Sequence, residues 1–390
     1  MIVLKAGRAE VLASRRHPWV YSGAVERVEG EDPGARLVPV ADPEGRVLAW
    51  GFYSPSSLIA VRLAAWGEVA PPEDWLERRL AQAAELRRGL SLDSDAFRLV
   101  NAEGDFLPGL VVDVYRGTTV VRPLVRGLEA VMERVTAALT GLFPGNAIFL
   151  KRDEKAARLE RLALATGYLR GGGDGRQRIR EGGLELEVDL ERGQKTGFYL
   201  DQRESRLLVR RLAAGRRVLN LFAYTAAFAL QAVAGGALKA VSVESSRAAL
   251  ELGRVCAGLN PELPAERLAW IEGDAFQYLA DGAGGELFDL TVVDPPPFAR
   301  RRSDLPGALK AYTELNRLAL SRTAPGGLLL CFSCSSAVSS QQFSDALRAA
   351  SRQAGRAVQL LQPLAASADH PVALDHPEGE YLKGWLLRAL

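Results

Sequence analysis

Residues 216–244 read RRVLNLFAYTAAFALQAVAGGALKAVSVE. The apolar run RRVLNLFAY predicts a buried strand, TAAFALQAVAGG has the helix-forming residues and closing glycines of a helix, and KAVSVE predicts a second strand. Strands that are apolar throughout, rather than alternating, are covered on both faces, so the unit reads as strand, helix, parallel strand. The pattern continues through RAALELGRVCAGLN (helix), LAWIEGDAF and FDLTVVDPPPF (strands with their ends), a helix near 307–323 and the strand GGLLLCFSCSS. The expected fold class is α/β, with a Rossmann-like domain over 181–390. Ligands on such sheets bind beyond the carboxyl ends of the strands, near the point where strand order reverses.

Working outward, residues 1–70 alternate short apolar segments with Gly and Pro turns, as in VYSGAVERVEG, and predict a small β-rich domain. The stretch APPEDW at 70–75 marks a boundary. Residues 71–180 then predict a compact α+β domain: a helix over 74–90, three strands within 97–125, a helix over 128–142 and a strand near 147–152. A chain of 390 residues, 48% hydrophobic and 25% charged, is expected to be soluble and to hold more than one core. No run reaches the roughly 18 apolar residues of a membrane span, and MIVLKAGRAE lacks the layout of a secretory signal. Three cysteines cannot make a secreted disulfide framework, so the expected compartment is the cytoplasm.

Net charge is only +2, but its distribution is uneven. Residues 151–180 carry nine basic side chains (Lys151, Arg152, Lys155, Arg158, Arg161, Arg170, Arg176, Arg178, Arg180) against four acidic ones, and Arg300, Arg301 and Arg302 follow the proline-dense DPPPF. Runs of this kind are often simply solvated surface.

The turn after the first Rossmann-like strand, NLFAYTAAFAL (220–230), has no glycine where a dinucleotide fold carries its fingerprint, which speaks against NAD and nucleoside triphosphates. The second strand nevertheless ends in Glu244, suited to a ribose, the third region in Asp274 and Ala275, and the fourth in Asp294. Acids at successive strand ends without a phosphate cradle describe a site for an adenosine lacking phosphates, and S-adenosylmethionine is the common cofactor of that kind.

The segments KTGFYLDQRESR (195–206), VLNLFAYTAAFAL, DPPPF, FSCSS and ADHPV…PEGEYLKG resemble the ribosomal RNA large-subunit methyltransferase I family along nearly the whole chain. Those enzymes are bacterial S-adenosylmethionine-dependent cytosine-5 methyltransferases of 23S ribosomal RNA. RRHPWVYSGAV (15–25) is similar to the start of that family's PUA domain. The resemblance implies cofactor contacts from Gln202, Arg203, Asn220, Phe222, Tyr224, Thr225, Glu244, Asp274, Ala275 and Asp294, with Arg203 against the methionine carboxylate. The sequence departs from the family at Pro297, where a lysine is common, and at Ala226 and Ala227, which replace glycines.

In LLLCFSCSS, a redox or zinc role for Cys331 and Cys334 is disfavoured, because strand-spaced thiols point to opposite faces and further ligands at zinc spacing are lacking. Cys331 reads as a small buried hydrophobe. Cys334 stands where the strand gives way to serines. A pyrimidine C5 is too electron-poor to take a methyl group unaided, and a thiolate added at C6 overcomes this. The family resemblance gives Cys334 that nucleophilic role, and Asp294 then supports the base edge. Phe298 is a candidate stacking surface for a flipped base, and Arg300, Arg301 and Arg302 are candidate phosphate contacts. An amino-group or guanine methyltransferase and a non-catalytic RNA-binding protein remain open alternatives. As to assembly, monomer and homodimer are both open.

Overall fold

A computed structural model describes residues 1–30, 37–282, 285–299 and 301–390, so Arg300 lies outside the described residues. The chain forms two compact units. The first comprises Met1–Ile179, Val188–Leu200 and Ala368–Gly379, and the second Arg180–Glu187, Asp201–Ser367 and Glu380–Leu390.

In the first unit, strands β1 (Ile2–Leu4), β2 (Trp19–Tyr21), β3 (Val25–Val28), β4 (Val38–Ala41), β5 (Val47–Tyr53) and β6 (Ile59–Trp66) form one sheet in the order β2-β6-β5-β4-β1-β3. Helix α1 (Ala6–Arg15) buries Ala9 and Leu12 in the same core as Ile2, Val40 and Val61. A second sheet, β11-β10-β9-β8-β7, is built from β7 (Ala96–Asn101), β8 (Leu110–Tyr115), β9 (Thr118–Pro123), β10 (Ala147–Leu150) and β11 (Gly167–Arg170). Helices α2 (Trp75–Gly89) and α3 (Met132–Leu142) bury Leu76, Leu80, Val135 and Leu139 in its core, and the short α4 (Glu154–Glu160) is capped by Asp153. β12 (Arg176–Glu181) and β13 (Leu184–Asp189) pair with each other, and their joined ends, Arg180–Glu187, belong to the second unit.

The stretches 188–200 and 368–379 pack within the first unit. Their attachment is polar and buried. The Thr196 hydroxyl reaches both the Asp113 carboxylate and the Tyr115 hydroxyl, and Asp113 receives a two-pronged ion pair from Arg98 at 2.9 and 3.0 Å. The Asp369 carboxylate accepts the Arg98 main-chain N–H at 2.8 Å, while Arg87, paired with Asp105, donates to the Asp369 carbonyl at 2.8 Å. Such contacts are legible only in three dimensions, since their partners lie some 80 to 280 positions apart. Gly104 makes one of them sterically obligatory: a Cβ there would stand 2.0 Å from the Pro371 carbonyl oxygen. Gly104→Ala should therefore cost about 2 kcal/mol of stability. Faster limited proteolysis within 368–379 would report it, and an unaltered rate would show that the contact yields freely.

In the second unit, β14 (Arg217–Leu221), β15 (Lys239–Glu244), β16 (Leu268–Glu272), β17 (Phe288–Val293), β18 (Thr323–Ser333), β19 (Val358–Ala365) and β20 (Lys383–Ala389) form one sheet in the order β16-β15-β14-β17-β18-β20-β19. The first five run parallel, and β20 is antiparallel to both neighbours. Strand order reverses between β14 and β17. Helices α5 (Arg203–Leu212), α6 (Ala227–Ala234), α7 (Arg247–Gly258), α8 (Ala275–Ala280), α9 (Leu305–Arg322) and α10 (Ser340–Gln353) complete the unit. The alternation of β side chains sends Leu219, Leu221, Val241, Val243 and Cys331 into a core with Tyr312, Leu315 and Phe343 of α9 and α10. Helix α6 is buried along nearly its whole length, as its apolar sequence, broken only by the hydrogen-bonded Gln231, requires. Among the described residues, no helix is long and apolar enough to cross a membrane.

Candidate active site

Five parallel strands bring their carboxyl ends to one edge of the second unit's sheet. There the turn 222–226, Glu244, Asp274, the loop 294–299 and Cys334 follow β14, β15, β16, β17 and β18 in turn.

The turn after β14 holds Phe222, Tyr224 and Ala226 at φ 54°, 49° and 56°, the left-handed conformation that glycine adopts without strain. The turn keeps this glycine-like path although Ala226 and Ala227 stand where the family has glycines. Glu244 helps hold it there, with its carboxylate accepting main-chain N–H groups of Tyr224 at 2.9 Å and Ser246 at 2.8 Å. Ala226 is fully buried and donates its N–H to the Ala223 carbonyl at 2.7 Å. Ala226→Gly should relieve the strain and raise the denaturation midpoint by an amount worth roughly 0.5–1 kcal/mol, with the slope unchanged. A lower midpoint would mean that the methyl group's packing outweighs the strain.

One position before the end of β14 lies Asn220, opposite Ser242 of β15. Both are fully buried, and neither the Asn220 amide nor the Ser242 hydroxyl has a hydrogen-bond partner among the described residues. Buried polar groups are rarely left so, and orphaned ones call for a ligand or an ordered water. With Glu244 and Asp294 nearby on strand ends and no phosphate cradle, the donor set fits an uncharged nucleoside portion of a cofactor. Asp274 is exposed and caps α8 by accepting the Gln277 N–H at 3.0 Å, with Ala275 buried behind it. Thr225 is buried in the turn, and Phe222 and Tyr224 are half-buried.

Gln202, at the start of α5, donates its amide to Asp294 at 2.9 Å, which joins two of the residues singled out from sequence. The neighbouring Arg203 is fully buried, with its guanidinium 3.8 Å from Glu181. The resemblance supplied no hint of that acid.

The loop after β17 is stitched to the end of β18 through Ser335. Its hydroxyl accepts the Ala299 N–H at 3.2 Å and meets the Tyr312 hydroxyl at 2.9 Å, while Ser333 donates to Tyr312 at 2.9 Å. Burial, the largest influence, raises the Tyr312 phenol's pKa and keeps it protonated. Phe298 packs its ring 4.8 Å from Tyr312 and 6.1 Å from Phe276. The two cysteines of this strand differ sharply. Cys331 is fully buried, its thiol directed at the Trp385 carbonyl at 3.6 Å, and burial raises its pKa far out of reach of ionisation. Cys334 is the first residue past the strand and only half-buried, with its thiol 3.6 Å from the Pro295 carbonyl.

Lys383, which is not among the site residues read from sequence, donates its ammonium to the Ser335 carbonyl at 3.0 Å. The segment YLKG becomes informative once it is known to pair with FSCSS. Arg301 and Arg302 are exposed ahead of α9. Of the nine basic residues in 151–180, Lys151 is buried against the Gly193 carbonyl, and burial lowers its pKa to about 8. Arg152 is half-buried, and the other seven are exposed.

A family model of S-adenosylmethionine-dependent methyltransferases matches residues 116–371, and one of PUA-like domains matches 2–66. The chain is 40% identical to the ribosomal RNA large subunit methyltransferase I of Serratia proteamaculans, covering 100% of this chain and 99% of that protein. With the Salmonella arizonae protein of the same name the identity is 39%, over 100% and 97%. Among solved structures, a methyltransferase crystallised with SAH superposes with a TM-score of 0.86 at 22% identity, both chains covered in full. An S-adenosylmethionine-dependent methyltransferase from Streptococcus mutans gives 0.84 at 22%, again over both full chains.

Proposed function

Since the chain belongs to the ribosomal RNA large subunit methyltransferase I family and is S-adenosylmethionine-dependent, we propose that it methylates C5 of a cytidine in 23S ribosomal RNA, with Cys334 as covalent nucleophile. Bound S-adenosylmethionine supplies an electrophilic methyl group. Gln202, Arg203, Asn220, Phe222, Tyr224, Thr225, Glu244, Asp274, Ala275 and Asp294 would hold the cofactor.

The observation that carries the reading is the place of Cys334, half-exposed at the strand edge beside the Asp294–Pro295 turn, whereas Cys331 is sealed. The Cys334 sulfur bonds to C6 of the base, and the displaced electron pair makes C5 nucleophilic. Once C5 carries its new methyl group, the C5 proton is lost and the C6–S bond breaks, returning the sulfur its electron pair. Asp294, oriented by the Gln202 amide, supports the base edge at N3. Phe298, braced by Tyr312 and Phe276, offers a stacking surface. Arg300, Arg301 and Arg302 supply phosphate contacts, and the exposed basic residues of 151–180 add salt-dependent affinity. The same reading divides the chain into a PUA-like domain (1–70), a central domain (71–180) and the methyltransferase domain (181–390), working in the cytoplasm.

The test is incubation with methyl-labelled S-adenosylmethionine and ribosomal RNA lacking its own modifications, followed by digestion to nucleosides. Label is expected in 5-methylcytidine. Label in a purine would overturn both the base and the thiol mechanism.

A further inference from the structure

We propose that Lys383 is a positioning residue that holds Cys334 as a thiolate before the substrate arrives, an inference that rests on Cys334 being the nucleophile. Topology carries the argument. β20 runs antiparallel to β18, and their register sets Lys383, the first residue of β20, opposite Ser333, the last of β18. Cys334 is the next residue, and the Lys383 ammonium reaches past it to the Ser335 carbonyl at 3.0 Å. The Lys383 backbone is thus anchored opposite residue 333 by strand pairing, and its ammonium is held at residue 335 by a hydrogen bond, so the two attachments flank the thiol.

Two described acids near the thiol work against its ionisation. Asp294 adjoins the Pro295 carbonyl that Cys334 touches, and Glu380 acts on Lys383 from the segment before β20; both are acids and oppose a second negative charge. Tyr312, on α9, faces the same loop but is kept protonated by burial and brings no charge. Lys383, from β20, is a cation that interacts with Cys334. Burial is the largest influence on Lys383 and lowers its pKa, while the charge of Cys334 acts in the opposite sense, favouring the ammonium. By the same coupling the ammonium favours the thiolate. An opposite charge at about 4–6 Å lowers an acid's pKa by about 1–3 units, enough to raise the thiolate fraction at pH 7 several-fold.

The test measures the thiol itself, without RNA. Iodoacetamide labelling of Cys334, resolved by mass spectrometry of its peptide, is followed from about pH 5.5 to about pH 10 in the wild type, Lys383→Met and Lys383→Arg. The wild-type midpoint should lie below the ordinary thiol value of about 8.5. Lys383→Met should move it up by about one unit and slow labelling at neutral pH about tenfold, while Lys383→Arg stays within about threefold of the wild type. A wild-type midpoint at or above about 8.5 overturns the proposal without recourse to any variant, as does an unchanged midpoint in Lys383→Met. The nucleoside assay on the same preparation keeps the two readings apart: absence of 5-methylcytidine counts against the function, and an ordinary thiol midpoint counts against Lys383 alone.

Discussion

Cys334→Ala is expected to lower methyl transfer by at least about 10⁴-fold while leaving S-adenosylmethionine affinity within about threefold of the wild type. The separation follows from where the thiol lies. Cys334 stands at the end of β18, whereas the groups proposed to hold the cofactor lie at or just past the carboxyl ends of β14, β15, β16 and β17 and at the start of α5. Alanine removes the sulfur but leaves the backbone of 333–335 and the Ser333, Ser335 and Tyr312 hydroxyl contacts in place. Cys334→Ser should be nearly as inactive, because a hydroxyl is a far weaker nucleophile at neutral pH than a thiolate. Ribosomal RNA carrying 5-fluorocytidine at the target would give a direct reading: fluorine at C5 cannot leave as a proton, so the Cys334–C6 bond should persist and be seen as a protein–RNA adduct. Full activity in Cys334→Ala, or an adduct that survives in it, would rule out Cys334 as the nucleophile.

The parallel sheet was legible because each of its first strands is an apolar run bounded by turn residues, and the positions after those runs are strand ends by necessity. Glu244, Asp274, Asp294 and Cys334 could be picked out on that ground alone. The turn after β14 was harder to read, because its glycine-like path is held partly by Glu244, some twenty positions later. Lys383 was invisible as a partner of the thiol until β20 was known to run antiparallel beside β18, since nothing in YLKG states its register. For the same reason Arg203 could be given only the cofactor as a partner, when a buried acid before α5 lies within 4 Å of it. Spacing along the chain reveals what shares a strand or helix. Pairing between distant segments needs the fold.

That acid, Glu181, supports the second large expectation: Glu181→Ala should cost about 3–5 kcal/mol of stability. Its side chain is fully buried and accepts two hydrogen bonds from Arg206, at 2.6 and 2.7 Å, with Arg203 3.8 Å away. Its main-chain carbonyl also takes the Gln231 amide at 2.8 Å, so one residue ties both α5 and α6 to the hairpin. Without the carboxylate two buried guanidiniums lose a nearby counter-charge, a desolvation cost that water cannot readily relieve. Measured against the roughly 5–15 kcal/mol typical of a folded domain, the loss is a large fraction, and the denaturation midpoint should fall accordingly. The pair Glu181→Leu with Arg206→Met should recover part of it, because replacing Arg206 as well removes one of the two guanidiniums that faced the lost carboxylate. The effect should also reach the active-site edge, since α5 begins directly after Gln202, the residue that orients Asp294. Loosened cofactor binding in Glu181→Ala below its unfolding transition would show that the buried ion cluster sets the site's geometry. A lowered midpoint with unchanged cofactor affinity would confine its role to stability, and an unchanged midpoint would overturn the expectation altogether.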